Sequence, residues 1–216
     1  MKPLVSLKQP ANPVLIFWIA IGLVGFFAVP WYGVEDFFKF EWLIDGYPFD
    51  ADYAPAAFLL GQAEKLWLAP LILPLLAPFA VLRKRKSDPL YARVLIVAGA
   101  MGLGWIILQG FSIGIRGWNF GWLQGVFGGL NDRQYGMGYG GMLVAVAFLF
   151  LFTQGIAARG AINGDVFVVS SISGIVVIVT IFVFFPIAKM LTAAFITDGG
   201  GYSLSVLASK FFDDRL

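Results

Sequence analysis

Long apolar stretches separated by shorter polar ones fill the chain from one end to the other. A helix needs about 20 mostly apolar residues to cross the hydrocarbon core of a bilayer. Five stretches meet or approach that length, at about residues 13–30, 66–82, 93–115, 135–157 and 166–188. The pattern predicts an all-α fold, a polytopic membrane helical bundle with about five transmembrane helices.

Composition supports a membrane protein over a soluble one. Apolar residues make up 59% of the chain and charged residues only 13%, whereas a soluble domain carries about 25% charged residues. Because the apolar stretches run from end to end, residues 1–216 are predicted to form a single transmembrane domain. The net charge of +2 gives no indication of a nucleic-acid partner, so membrane lipid is the partner expected first.

The first apolar stretch follows Lys2 and Lys8, an arrangement that also occurs in secretory signal peptides. Its apolar run is long for a signal peptide, and residues 27–30 make a poor cleavage site. It is therefore interpreted as an uncleaved first helix.

Flanking charges predict the orientation. Residues 31–65 hold seven carboxylates and two lysines, whereas the next connection holds the cation run Arg83-Lys84-Arg85-Lys86. Cytoplasmic loops carry an excess of Lys and Arg, so the basic run is predicted inside and the acidic loop outside. The N-terminus then lies in the cytoplasm and the C-terminus outside, with residues 189–216 as an outer tail. Trp and Tyr residues near the predicted outer boundaries support this assignment: Trp31, Tyr32, Trp67, Trp118 and Trp122.

Two features of the helices have competing interpretations. Pro70, Pro74 and Pro78 are four residues apart, and so lie on one face of an α-helix, where they indicate either a tolerated kink or a hinge near a pathway. Small residues four apart favour close helix packing, with a ligand groove as the alternative. These pairs are Ala98/Gly102, Ala100/Gly104, Gly110/Gly114, Gly136/Gly140 and Ser170/Gly174.

The residues give little sign of catalysis. The chain has no Cys and no His, which removes thiolates, imidazole bases and the usual zinc or copper ligands. No nucleophile–base pair is visible, so we expect no enzyme, no cofactor, no metal and no catalytic or cofactor-binding residue. The acidic loop is interpreted as solvated, with loose contact to a hard cation as the alternative.

Two further polar features have ordinary explanations. Residues 125–141 hold seven glycines and are interpreted as a Gly-rich turn, because no Gly-Lys-Ser/Thr phosphate-binding signature follows. Lys189, near the outer end of the last helix, is expected to extend its amine to the interface, with an intramembrane ion pair as the alternative.

The C-terminal stretch resembles the opening of inner-membrane permeases of binding-protein-dependent ABC importers. The residues that carry this resemblance are VFFPIAKMLTAAF at 183–195, DGGGYSL at 198–204 and FFDDRL at 211–216. The rest looks like the N-terminal extension of long permeases of the iron(III) importer group in Gram-negative bacteria. That likeness rests on NPVLIFW at 12–18, PWYGVEDF at 30–37, EKLWLAP at 64–70, GIRG at 114–117 and AARGAINGDVF at 157–167.

The resemblance implies a multi-pass protein of the bacterial inner membrane that anchors a permease core. It implies as partners the remainder of the permease or a second permease subunit, with the ATPase subunit and the periplasmic binding protein acting through the full complex. The cytoplasmic loop that docks such permeases on their ATPase is missing here: residues 157–160 supply its alanines but no preceding Glu. No transport is therefore expected from this chain alone. A stand-alone accessory or structural subunit of another membrane complex is the alternative.

Overall fold

The computed structural model describes residues 12–114, 117–130 and 136–195, and it is mostly helical. The eight α-helices of these residues are α1 Pro13–Phe27, α2 Ala56–Gly61, α3 Ile72–Leu76, α4 Pro89–Ser112, α5 Trp122–Phe127, α6 Tyr139–Ala158, α7 Val166–Val179 and α8 Phe185–Ala194. Short 3₁₀ segments occupy Phe37–Lys39, Glu41–Leu43, Leu66–Leu71, Ala77–Val81 and Ala161–Gly164, and a π-helical turn covers Thr180–Phe184. Two-residue strands, β1 Ile113–Gly114 and β2 Gly117–Trp118, pair antiparallel.

Within the described residues, three helices are long and apolar enough to cross a membrane: Pro89–Ser112, Tyr139–Ala158 and the continuous run Val166–Leu191. Pro13–Phe27 and Leu66–Val81 are apolar but shorter. At 1.5 Å per residue, the 15 residues of α1 extend only about 22 Å. The structure thus bears out a mostly helical fold with membrane-length helices, while the number of spans stays a prediction.

The chain divides into two compact units, residues 1–170 and 171–216. In the first unit α6 is the central helix, with α1 and α4 packed on it. Leu15, Ile19 and Phe26 face inward from α1, while Tyr91 and Leu95 do so from α4. The α6 residues Val144, Phe148 and Leu151 are fully buried between them.

Glycines bring these helices together. A Cβ added to Gly25 of α1 would lie 2.8 Å from the carbonyl oxygen of Gly140 in α6, and one at Gly99 of α4 would lie 2.6 Å from the Cβ of Phe152. A Cβ added to Gly102 of α4 would likewise collide with the ring of Phe148. Because lipid tails are as apolar as the helix side chains, the hydrophobic effect does not drive helices together within a membrane. Close backbone approach and van der Waals contact hold such bundles together instead.

The small-residue pairs therefore have different roles. The packing interpretation is confirmed for Ala98/Gly102, and for Gly140 of the pair Gly136/Gly140. A Cβ at Gly104 would meet nothing within 4 Å of the described residues, so this glycine is not a close-packing position there.

The proline-rich stretch is not a single α-helix as predicted. It runs as 3₁₀ helix Leu66–Leu71, α3, and 3₁₀ helix Ala77–Val81. Pro74 and Pro78 are buried, whereas Pro70 is exposed. Pro70 lies in a 3₁₀ segment, where three residues make a turn, so it does not share the buried face of Pro74 and Pro78. The 3₁₀ rise of about 2.0 Å per residue also stretches these 16 residues to about 30 Å, close to the hydrocarbon thickness.

The third predicted span begins earlier than expected. The helix starts at Pro89, not near Arg93, because the side chain of Asp88 caps it by accepting from the N–H of Leu90 at 2.8 Å. An Asp followed by Pro at the first helical position is a recognised helix start. Asp165 caps α7 in the same way, accepting from the N–H groups of Phe167 and Val168.

Successive apolar segments of the first unit alternate in direction. The start of α1 meets the end of the proline-rich stretch, where the Asn12 N–H donates to the Leu82 carbonyl at 3.3 Å. The far end of α1 meets the start of α6, where the Gly140 N–H donates to Pro30 at 2.9 Å. We call the end with residues 83–93 and 158–165 the basic end, and the end with residues 28–65 the acidic end.

The second unit is described to residue 195 as one continuous helix, formed by the end of α7, the π-helical turn and α8. Thr180 opens the π turn, and its hydroxyl donates to the carbonyl of Val176 at 2.7 Å. Such back-bonding and π turns both perturb a regular helix. Lys189 lies within α8 with its amine 5.6 Å from the ring centre of Phe185. The predicted tail beyond residue 195 lies outside the described residues.

Candidate functional site

The acidic segment, residues 31–65, is folded, with several of its apolar side chains packed inward. The side chains of Trp31, Trp42 and Leu59 are buried. The Trp42 indole donates to the Phe37 carbonyl at 2.8 Å, and the ring of Phe37 stacks on Tyr139 of α6 with centroids 4.2 Å apart. The segment therefore caps the bundle through aromatic packing.

The carboxylates of this segment nevertheless all belong to exposed residues, Glu35, Asp36, Glu41, Asp45, Asp50, Asp52 and Glu64. Asp36 pairs with Lys39 at 2.7 Å, with both side chains largely in solvent. Among the residues described, no three His, Cys, Asp or Glu side chains group closely enough to hold a metal ion. The carboxylates are solvated as predicted, although the backbone beneath them is ordered.

Lys65 ends the acidic segment above two aromatic rings. Its amine lies 5.7 Å from the ring centre of Tyr32 and 5.4 Å from that of Trp67. Such cation–π contacts attract the Lys65 amine to the faces of the two rings. Burial raises the pKa of the Tyr32 hydroxyl well above its usual value.

The glycine-rich stretch pairs with the acidic segment where it is described. The Gly33 N–H donates to Gly136 at 2.9 Å, and the Gly138 N–H donates to Trp31 at 2.8 Å. A Cβ at Gly138 would collide with the Tyr32 carbonyl, so glycine is needed for this close backbone approach. Gly136 and Gly138 thus flank a backbone bridge to the acidic segment and do not form the predicted turn. Asn131, Asp132 and Arg133 lie outside the described residues.

An aromatic cavity of about 420 Å³ lies at the acidic end between α4 and α5. Its walls are almost wholly apolar, and the indole of Trp118 packs edge-on against Trp67 with centroids 5.3 Å apart. The indole N–H of Trp118 donates to Gly128 at 2.8 Å. Because its N–H is directed to the backbone, Trp118 presents mainly apolar surface to this cavity.

A polar cavity of about 330 Å³ lies at the basic end, between the start of α4, the end of α6 and the turn at residues 160–164. Lys86, Ser87, Tyr91, Gln154 and Asn163 supply its polar side chains. Sequence reasoning did not single out Gln154. A Thr153-Gln154 pair near the end of an otherwise apolar helix was the available signal, because polar side chains inside membrane segments usually face protein.

The two polar residues of that pair have different surroundings. Thr153 is fully buried, and its hydroxyl is 2.9 Å from the Ser170 hydroxyl and 3.0 Å from the Phe150 carbonyl. Gln154 is only 5% exposed, and its Nε2 has no hydrogen-bond partner among the described residues. A buried donor without a partner costs free energy of folding. The Nε2 of Gln154 therefore marks a position where a ligand or a water molecule could accept a hydrogen bond.

Charged side chains lie beside the polar cavity, where Lys86 lines the cavity itself. A neighbouring cavity shares Ser87 and Ala158 with it, and Arg93 and Arg159 line that second cavity. Asp88 also lines it, but Asp88 pairs with Lys84 at 3.1 Å. The Leu90 N–H, together with Lys84, holds the pKa of the Asp88 carboxyl below its usual value. The basic end therefore presents Lys and Arg side chains around a partly polar hollow.

Comparisons with protein-family models, with curated proteins and with solved structures found no match for this chain.

Proposed function

We propose that this chain is the membrane-embedded N-terminal part of a permease of a binding-protein-dependent ABC importer of the iron(III) type. In this proposal it lies in the bacterial inner membrane with five spans, the N-terminus in the cytoplasm and the C-terminus outside. Its role is to anchor the translocation core and pack against it, without enzymatic activity and without transport of its own.

The observation that supports this proposal best is the long apolar helix Val166–Leu191. Its last part carries VFFPIAKML, the start of the stretch at 183–195 that resembles the first helix of such permeases. In the second unit, no other described element offers this helix a packing surface. A helix that is apolar all round needs lipid or other membrane helices around it, and the permease core would supply the latter.

The charge distribution of the first unit supports the proposed orientation. The cation run at residues 83–86 and Arg159 belong to the basic end, whereas the carboxylates of residues 31–65 belong to the acidic end. The positive-inside rule favours the basic end in the cytoplasm. The alternating directions of the apolar segments are those that a chain needs to cross a bilayer repeatedly. The stretched proline-rich segment reaches about the bilayer thickness as well.

This function is tested by an in-frame deletion of the gene segment that encodes residues 1–216. Uptake of radioactive iron(III) through the binding protein should fall at least tenfold and return when the chain is restored. Uptake of an amino acid through an unrelated importer is the control. Unchanged iron uptake, with loss of a different membrane complex instead, would replace the proposal by the accessory-subunit alternative.

A further inference from the structure

The polar cavity at the basic end combines three properties that bear on ligand binding. It lies where α4 and α6 reach their polar ends, Lys86 lines it with Arg93 and Arg159 in the adjoining hollow, and its wall includes a buried amide. Gln154 is nine-tenths buried in that wall with an unpaired Nε2 donor. Native structures satisfy nearly all buried polar groups, so a hydrogen-bond acceptor is the missing partner.

Other groups in the wall can also donate. Tyr91 is 1% exposed, and its hydroxyl accepts from the Asn12 amide at 3.0 Å, which leaves its own proton to donate elsewhere. Asn163 and Ser87 add an amide and a hydroxyl. A set of donors around one hollow suits a ligand with several acceptor oxygens.

The charges around the cavity favour an anion. Lys86 lines it, while Arg93 and Arg159 line the neighbouring hollow. Two carboxylates are near, but each has local partners. Asp88 contacts Lys84 and caps α4, and Asp165 accepts from two N–H groups at the start of α7. Among the described residues, no carboxylate forms an ion pair with Lys86, Arg93 or Arg159.

We propose that this cavity binds the phosphate group of an anionic membrane lipid. Arg93 and Arg159 would attract the headgroup, while Gln154, Tyr91 and Lys86 would donate to its oxygens. Basic pockets at the ends of transmembrane helices are suited to such headgroups, because the acyl chains stay in the bilayer while the phosphate reaches the protein. The proposal needs only that the bundle lies in a membrane, and it stands apart from the transport role.

Binding is tested with the purified full chain in detergent, followed by intrinsic tryptophan fluorescence during thermal unfolding. Phosphatidylglycerol and phosphatidylcholine with identical acyl chains are titrated separately. Phosphatidylglycerol should raise the Tm at a concentration about fivefold lower than phosphatidylcholine, as expected for a few cations near one headgroup. Equal responses to the two lipids would overturn the proposal.

Variants distinguish binding in the cavity from a general electrostatic attraction between the basic end and anionic lipid. The pair R93Q/R159Q should abolish the preference, and Gln154→Leu should weaken it about threefold although it leaves every charge in place. Asn163→Ala, at an exposed position, gives a second neutral change if Gln154→Leu does not fold. Lys39→Gln at the acidic end removes a charge and should leave the preference unaltered. If neither neutral change alters the preference, the cavity is not the site.

A final arm identifies the source of the phosphate. Sodium phosphate at about 10 mM without added lipid should give the same Tm as sodium chloride of equal ionic strength, because a free anion is screened and loses the anchoring of acyl chains. The opposite result is that phosphate alone raises the Tm of the unmodified protein but not that of Gln154→Leu. That result would show that the cavity binds a free anion, and it would overturn the lipid proposal.

Discussion

The indole Nε1 of Trp105 donates a 2.7 Å hydrogen bond to the backbone carbonyl of Trp67. In a 3₁₀ helix that carbonyl would accept from the residue three positions on, which is Pro70 and has no N–H. The side chain of Gln109 adds a longer bond of 3.3 Å to the same carbonyl. Helix α4 thus supplies the donors that the proline-rich stretch lacks, which is how membrane bundles tolerate proline.

Trp105→Phe should destabilise the protein by about 1–2 kcal/mol, since it removes the shorter of two donors from a buried carbonyl. Trp122→Phe is the control, because Trp122 is 69% exposed and should change stability by less than about 0.5 kcal/mol. Thermal unfolding in detergent measures both. A Trp105→Phe protein as stable as the control would mean that Gln109 alone satisfies the carbonyl.

Two glycines of α4 provide a matched test of packing. Gly99→Ala should cost about 1–3 kcal/mol, because its Cβ would press on the Phe152 Cβ at 2.6 Å and the Phe148 carbonyl at 2.7 Å. Gly104→Ala meets nothing within 4 Å in the described structure and should be neutral or stabilising by up to about 1 kcal/mol. Equal effects in chemical or thermal unfolding would contradict the α4–α6 contact.

The orientation can be read by single-cysteine labelling, because the chain has no cysteine of its own. In intact cells an impermeant maleimide should label Asp45→Cys and spare Lys86→Cys, which should react only after permeabilisation. Both positions are exposed, so access depends on the side of the membrane. Labelling of Lys86→Cys in intact cells would reverse the proposed topology.

Neutralising Asp45, Asp50 and Asp52 together as Asn tests whether the acidic segment guides a cation. We expect normal insertion and, in the full permease, iron uptake reduced by less than about twofold, because exposed charges steer weakly once salt screens them beyond about 8 Å. Asn at position 50 keeps a side-chain oxygen to accept from the Asp52 N–H, a 3.0 Å bond in the structure. A tenfold, salt-dependent loss of iron uptake at normal protein levels would show that the acidic segment binds a partner or steers a cation.

Alkaline pH should reveal the burial of Tyr32. Its pKa is raised in the folded protein by desolvation, so the unfolded chain releases this proton first as pH rises. Stability from this group is present below about pH 10 and declines above it. Tyr32→Phe should make the loss of stability between pH 10 and 11 shallower, as measured by Tm in detergent. If Tm falls equally steeply with pH in both proteins, burial does not hinder ionisation of the Tyr32 hydroxyl in the folded protein.

The apolar pattern was enough to predict helices of membrane length, because the requirement for about 20 apolar residues is a local property of the chain. The start of α4 was predicted near Arg93, four residues late, although Asp88 followed by Pro89 is a local capping signal in the sequence. The proline-rich stretch was harder to predict. Three prolines imply lost hydrogen bonds, but only a neighbouring Trp105 and Gln109 decide whether those bonds are replaced and in which helical form.

What the sequence determined by itself is the helical class, the apolar stretches and the separation of acidic from basic connections, each of which depends on residues close together in the chain. The tertiary structure decided which small residues are packing positions, because Gly99 faces Phe152 while Gly104, five residues on in the same helix, meets no described neighbour. It also folded the acidic segment into a cap beneath its solvated carboxylates, and it placed Gln154 in the wall of a cavity that Lys86 also lines. Those outcomes depend on partners about 50 to 100 residues apart in the chain, such as Gly99 and Phe152 or Phe37 and Tyr139, which no local pattern specifies.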